Sequence, residues 1–180
     1  SNTTSNDCAN SFNDNFAYLA FRRPLTAEEK TEYSAIVRSG PNGLRWAIQT
    51  VLMSPQFLYR TELGIPVSQA RSQSWGNNAT VRAADGSAYV LDPYEYAAAL
   101  AYMYTGSSPD RTLLTAAQNG SLENANSLSQ QIDRLLDSDL GKAQIGRFAG
   151  MWFRTDDVVN MTRNSTALTQ AVKDSMAQEI

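Results

Sequence analysis

The sequence repeats one helix-start signal, in which a residue that caps helices stands directly before a proline. Ser54, Asp92 and Ser108 each precede a proline. Their side-chain oxygens can accept the first free amides of a helix, and proline suits the first helical position because its missing N–H is not needed there. Helices are therefore expected to begin at these places, which favours a helical protein over one built from sheets.

The stretches between these signals have the apolar spacing of amphipathic helices, and short connections favour antiparallel neighbours. We predict an all-α fold of about nine helices in two groups joined by a long irregular loop. The N-terminal four-helix group covers residues 8–63, the loop covers 64–91, and the C-terminal group covers 92–180. The last helical pattern reaches Ile180 without a stop signal, so we expect the C-terminal group to be truncated.

Two helices of the C-terminal group have faces that the spacing predicts to be buried. The helix after Asp92 should bury Tyr96, Leu100, Met103 and Tyr104, with small alanines on its opposite side. A later helix should bury an apolar set that follows the Asp137–Asp139 turn. That set consists of Leu140, Ile145, Phe148, Ala149 and Trp152.

The string AFRRPLTAEE at residues 20–29 has two interpretations. Arg23 precedes Pro24, and a residue before proline is pushed out of the α conformation, so a helix should end here. Thr26 and Glu29 then form a capping box that starts the next helix. The segment is a structural corner in this interpretation. In the alternative, Arg22 and Arg23 form an anion clamp, because arginines beside a helix N-terminus can bind a carboxylate or phosphate.

Composition removes several classes of function. The 180 residues carry a net charge of −3, so we expect no nucleic-acid partner. Apolar runs are far shorter than the roughly 20 residues of a membrane span, so we expect no membrane insertion.

The chain has no histidine, which excludes Ser-His-Asp and Cys-His nucleophiles. Asp137–Asp139 is not a calcium loop, because Phe148 stands where the bidentate glutamate belongs. We assign no catalytic residue, metal ligand or cofactor to this segment.

The remaining candidates are contact residues. Trp75, Tyr89 and Tyr94 lie in or beside the irregular loop, where an aromatic ring could stack on a sugar or a partner. Cys8 is the one cysteine and has no partner for an internal disulfide. It is either a small apolar residue on a helix face or one half of an intermolecular disulfide.

Four blocks occur in a fixed order: FAYLAFRRPLTAEE, LRWAIQTVLMSPQFLYRTE, LDPYEYAAALAYMYTGSSPDRTLL and QIDRLLDSDLGKAQIGRFAGMW. Together they resemble the domain-of-unknown-function families 1595 and 1592, which occur in large exported proteins of planctomycetes, myxobacteria and marine gammaproteobacteria. The resemblance implies a periplasmic or outer-surface multidomain protein. Relatives commonly include a cytochrome c module, so haem c is expected elsewhere in the parent protein, because this chain has no Cys-x-x-Cys-His.

We therefore expect a non-catalytic helical scaffold or docking module. Its partners would be other domains of the same protein or a partner chain. One alternative is a polysaccharide- or polymer-binding module that uses Trp75. Another is the helical part of a haem-containing redox protein, in which Arg22 and Arg23 or the tyrosines face the haem domain.

Overall fold

The computed structural model describes residues 2–72, 88–154 and 169–178. The N-terminal part begins with one continuous helical rod, formed by α1, a π-helical segment and α2, and continues with three shorter helices. The bounds are α1 Asn2–Ser11, the π segment Phe12–Ala17, α2 Tyr18–Phe21, α3 Ala27–Val37, α4 Gly43–Met53 and α5 Pro55–Leu58.

The C-terminal part is also helical, apart from a pair of two-residue strands. The strands are antiparallel, with Ile65 opposite Val90 and Pro66 opposite Tyr89. The all-α prediction is confirmed. The bounds are β1 Ile65–Pro66, α6 Val67–Ser72, β2 Tyr89–Val90, α7 Pro93–Thr105, α8 Arg111–Gln118, a 3-10 turn Ser121–Glu123, α9 Ala125–Asp137, α10 Asp139–Phe153 and α11 Gln170–Gln178.

Most helix starts lie where the sequence places them. Thr26 accepts the Glu29 amide, and the Glu29 carboxylate accepts the Thr26 amide at 2.8 Å, which completes the capping box of α3. Asp92 and Glu95 form the same arrangement at α7, with Pro93 in the first turn. These caps satisfy amides that have no partner inside their own helices.

The start expected at Ser108 is wrong. The N-cap of α8 is Asp110, whose carboxylate accepts the Leu113 amide at 2.9 Å. The same carboxylate binds the Arg134 guanidinium of α9 at 2.6 Å. Asp110 therefore caps one helix and ties it to another, and that second role depends on a residue distant in sequence.

The buried residues form two clusters that follow the order of the chain. One lies among α1 to α4 and includes Phe12, Phe21 and Val51. The other lies among α6 to α9 and includes Leu113 and Leu122. Each cluster gives its group of helices an apolar core of its own.

Residues 64–91, predicted as an irregular loop, contain regular structure at both described ends. Strand β1 and helix α6 occupy 65–72, and β2 occupies 89–90. Ala70 of α6 is fully buried in the C-terminal cluster. The Glu95 carboxylate of α7 also accepts the amides of Leu63 and Gly64 at 3.0 and 2.9 Å. The described ends of this segment therefore belong to the C-terminal group.

Helix α7 buries its small residues and leaves a large one outside. Ala97, Ala98 and Ala101 are buried together with Leu100. Met103, expected in the core, is 68% exposed. Alanine side chains let α8, α9 and α10 pack close to the α7 backbone. The longer Met103 side chain lies outside this contact.

Candidate functional site

Three of the predicted contact residues line one cavity. Arg22, Arg23 and Tyr94 face a space of about 180 Å³ between the end of α2, the end of α5 and the start of α7. Tyr89 lies exposed on β2 and does not line this cavity. Cys8 is an exposed free thiol on α1. Trp75 lies outside the described residues. Among the predicted contact residues that the structure describes, it brings together the two arginines and Tyr94.

Arg22 is a buried side chain that joins two helix ends. Its backbone is left-handed, with φ of 59°, and ends α2. The guanidinium is turned inward and donates to the carbonyl oxygens of Gln56 at 2.6 Å and Tyr59 at 2.9 Å. These carbonyls stand at the C-terminal end of α5, where helical partners run out. Arg22 therefore acts as a C-cap for α5 supplied by another helix.

Arg23 is engaged by an acid of its own corner. Its guanidinium binds both oxygens of Glu29 at 2.8 and 2.9 Å, and donates to the Pro24 carbonyl. The hydrogen bond from Arg23 lowers the pKa of Glu29, and the same contact raises the pKa of Arg23. Glu29 thus serves the capping box and a bidentate ion pair at once.

The opposite wall of the cavity is equally occupied. Asp92 accepts the amides of Tyr94 and Glu95, as an N-cap does. Burial, together with the nearby Tyr18 and Asp92, raises the pKa of Tyr94. Arg60 pairs with Glu62 at 2.8 Å. We name this cavity the corner pocket. Its charged groups already bind protein groups, which favours the structural corner over the anion clamp.

The described residues contain no group of His, Cys, Asp and Glu side chains that could hold a metal ion. None of their helices is long and apolar enough to cross a membrane.

A further feature is an exposed apolar face on α10. Phe148 and Trp152 have ring centroids 5.5 Å apart, and Trp152 is 69% exposed. Ile145 lies about one turn before Phe148 and about two turns before Trp152, and it is also exposed. Spacings of three, four and seven residues place these side chains on one side of the helix. We call Ile145, Phe148, Met151 and Trp152 the α10 face.

The residues that α10 buries are not its large apolar ones. The buried positions of α10 are Gly141 and Gly150. A side chain at Gly141 would collide with the carbonyl oxygens of Leu135 and Leu136 in α9. Helix α10 packs on α7 and α9. Leu140, Ile145, Phe148 and Trp152 are instead 51–69% exposed, so the expectation that they are core residues is wrong.

Positive charge lies on both sides of the α10 face. At 3.6 residues per turn, Lys142 falls beyond Ile145 on one edge, and Arg147 falls on the other edge. Arg147 donates to the neighbouring Gln144 at 3.0 Å. Neither side chain forms an ion pair with another described residue. The face is thus an apolar stripe with a basic border.

Comparison with known families agrees with the resemblance seen in the sequence. The family model described as PSD4, protein of unknown function (DUF1592), matches residues 91–180, which is half of the chain. The model described as PSD5, protein of unknown function (DUF1595), matches residues 8–62. No curated protein matches the chain, and no solved structure does.

Proposed function

We propose that this chain, which belongs to the DUF1592 family of proteins of unknown function, is a non-catalytic helical docking module of a larger exported protein. The single observation that carries the proposal is the exposed α10 face. A contiguous apolar helix face of this kind is typical of a surface that another protein covers.

The energy available at this face is considerable. Complete burial of a fully exposed Phe or Ile side chain is worth about 1.5–3 kcal/mol, and Phe148 and Ile145 are 57% and 51% exposed, so a partner that covers each of them gains about half of that. Trp152 is a residue type that often dominates interface energetics. By contrast, the corner pocket offers no comparable unsatisfied surface, because its charged groups are engaged within the chain.

The border of the face indicates which kind of partner fits. Two copies related by a two-fold axis would bring basic edges against basic edges, because Lys142 and Arg147 stand on opposite edges of one helix. Such a pair opposes like charges. A different protein surface, with an apolar centre and an acidic rim, fits better. We commit to that occupant, either a further domain of the parent protein or a separate chain.

Site-specific photo-cross-linking tests this proposal. A photoreactive phenylalanine analogue replaces Phe148 in the native protein inside its own cells, and cross-linked peptides are identified by mass spectrometry. The matched control carries the analogue at Thr112, which is exposed on α8. We expect one dominant peptide from the Phe148 position, with apolar residues flanked by Asp or Glu, and none of it from Thr112.

Two outcomes would contradict the proposal. A cross-link from Phe148 to α10 of a second copy would mean self-association. Equal, scattered products from both positions would mean that the face stays open.

We also propose that the parent protein is exported to the periplasm or outer surface, with haem c in a separate domain. The composition supports export, since the chain has three lysines, Lys30, Lys142 and Lys173, and many Asn, Ser, Thr and Gln residues. Cell fractionation tests the location, and an absorption spectrum of the parent protein tests for haem. A purely cytoplasmic protein would contradict the first proposal, and a spectrum without a Soret band would contradict the second.

A further inference from the structure

A polar groove lies beside the π-helical segment, in the N-terminal part of the chain. It consists of two neighbouring cavities of about 220 and 250 Å³. Both are lined by Asn13, Asp14 and Lys30, so they meet along one wall. Arg111 of α8 borders the first cavity, and Arg38 borders the second. We call this space the Asn13 groove. It is distinct from both the corner pocket and the α10 face.

Asn13 has one polar atom without a partner. The side chain is buried, with 3% of its surface exposed. Its amide nitrogen donates to the Lys30 carbonyl at 3.2 Å and to the Ser34 hydroxyl at 2.8 Å. Its Oδ1 is buried and accepts no hydrogen bond from the described residues. A buried acceptor left unpaired costs about 1–3 kcal/mol, and such an atom in a π-helical segment is often part of a functional site.

The groove also has more positive than negative charge. Lys30, Arg38 and Arg111 border it, and Asp14 is the one acid among its lining residues. Lys30 pairs with Asp14 at 3.2 Å. Arg38 and Arg111 form no ion pair with any described residue. Arg23 differs from these two arginines, because its guanidinium forms a bidentate ion pair with Glu29.

Arg38 and Arg111 each have N–H donors that bind no described residue. Arg111 uses only Nη2, which donates to the Asp14 carbonyl and to Asn15 Oδ1, both at 2.9 Å. Its guanidinium also lies 5.2 Å from the Tyr18 ring centroid, and that stacking fixes its orientation. Arg38 donates through Nε and Nη1 to acceptors that carry no charge. Guanidinium groups with free donors are suited to bind an oxyanion.

We propose that the Asn13 groove binds a small oxyanion that also carries hydroxyl groups, such as a sugar acid or a sugar phosphate. The anionic group is recognised by Arg111 and Lys30, since the ion pair of Lys30 with Asp14 is solvent-exposed and occupies one of the three N–H donors of the ammonium group. A hydroxyl group donates to Asn13 Oδ1, which supplies the missing partner. That oxygen is buried, so the ligand must displace the protein atoms that cover it. The cavities are smaller than the roughly 300–1,000 Å³ of drug-sized sites, which limits the ligand to about one sugar ring.

Isothermal titration calorimetry with matched probes tests this inference on the 180-residue protein. Galacturonate supplies both the carboxylate and the hydroxyls. Galactose lacks the charge, and cyclohexanecarboxylate lacks the hydroxyls. Glucose 1-phosphate distinguishes a phosphate source from a carboxylate source. We expect galacturonate or glucose 1-phosphate to bind at least tenfold more tightly than galactose and cyclohexanecarboxylate, with affinity that falls as salt is added.

Variants then assign the binding to the groove. Arg111→Gln and Lys30→Gln should each weaken the anionic probe at least tenfold. Arg45→Gln is the matched control, because Arg45 is exposed on α4 and does not line the groove. Circular dichroism checks that each variant is folded. If Arg111→Gln is unfolded, the affinity of Lys30→Gln for the anionic probe is the deciding measurement.

The inference is overturned if none of the probes binds. Equal affinity for galactose or for cyclohexanecarboxylate also overturns it. So does an effect of Arg45→Gln as large as that of the groove variants.

Discussion

Replacing Arg22 by methionine is the sharpest test of how the corner is held. Its two short hydrogen bonds reach the Gln56 and Tyr59 carbonyls at 2.6 and 2.9 Å. A hydrogen bond to a charged group is worth about 1.5–3 kcal/mol. The residues that carry these carbonyls are exposed, so water can replace part of the loss. We therefore expect Arg22→Met to lower the free energy of unfolding by about 2–4 kcal/mol.

A glycine at the same position separates the two roles of Arg22. The residue has a φ of 59°, which costs a residue with a side chain about 1–2 kcal/mol relative to glycine. Arg22→Gly loses the same guanidinium but relieves this cost. It should be more stable than Arg22→Met by about 1 kcal/mol. Arg22→Lys should lie closest to the parent, since it keeps a charged donor without the planar fork.

Urea unfolding followed by far-ultraviolet circular dichroism measures all three variants. The reasoning is refuted if Arg22→Met lies within about 0.5 kcal/mol of the parent, the range of an ordinary surface substitution. It is also refuted if the glycine variant is less stable than the methionine variant.

Three further predictions concern the corner, the first core and the loop. The Arg23 hydrogen bond lowers the pKa of Glu29, so the stability that Glu29 adds above the ordinary glutamate pKa is lost as the pH falls through its lowered value. Glu29→Gln should therefore cost about 0.5–1 kcal/mol at pH 7 and progressively less as the pH is lowered below the ordinary glutamate pKa, measured by urea unfolding across that range. Gly43→Ala should cost about 1–3 kcal/mol in the same assay, because the new methyl group collides with the Val37 carbonyl; an unchanged midpoint contradicts this. If docking through α10 is the function, neither the parent nor Trp75→Ala should be retained on cellulose, chitin or xylan in a pull-down. Retention of the parent that is lost in Trp75→Ala would favour the polysaccharide alternative.

Local signals were enough to locate most of the helices. The capping boxes at Thr26 and Asp92 and the cap at Ser54 depend on residues two or three positions apart, so the sequence shows them directly. The start of α8 was misplaced because Asp110 competes with Ser108, and its bond to Arg134 lies 24 residues away. Patterns within one helix carry no information about such a partner.

Which face of a helix is buried was harder to predict. Apolar periodicity identifies a stripe, and on α7 and α10 it pointed to the large residues. The structure buries alanines on α7, where close packing between helices needs small side chains, and it leaves the large apolar residues of α10 exposed. Periodicity cannot distinguish a stripe that faces this chain's own core from one that faces another protein.

The candidate sites show the same limit. Arg22 and Arg23 stood out because they are adjacent in sequence, yet their donors are used inside the corner. Asn13 and Arg111 were not singled out, because 98 positions separate them in the sequence and only the packing of α8 beside the rod brings them to one cavity. The unpaired Asn13 oxygen becomes visible only in three dimensions.

The central claim is that the α10 face is covered by another protein surface in the native protein. Hydroxyl-radical footprinting measures this through two methionines of similar exposure in the isolated chain, Met151 at 60% on the α10 face and Met103 at 68% on α7. We predict that Met151 oxidises at least several-fold more slowly in the native protein within its cells than in the purified chain, while the Met103 rate changes little. Equal oxidation rates for Met151 in the two samples would contradict the account.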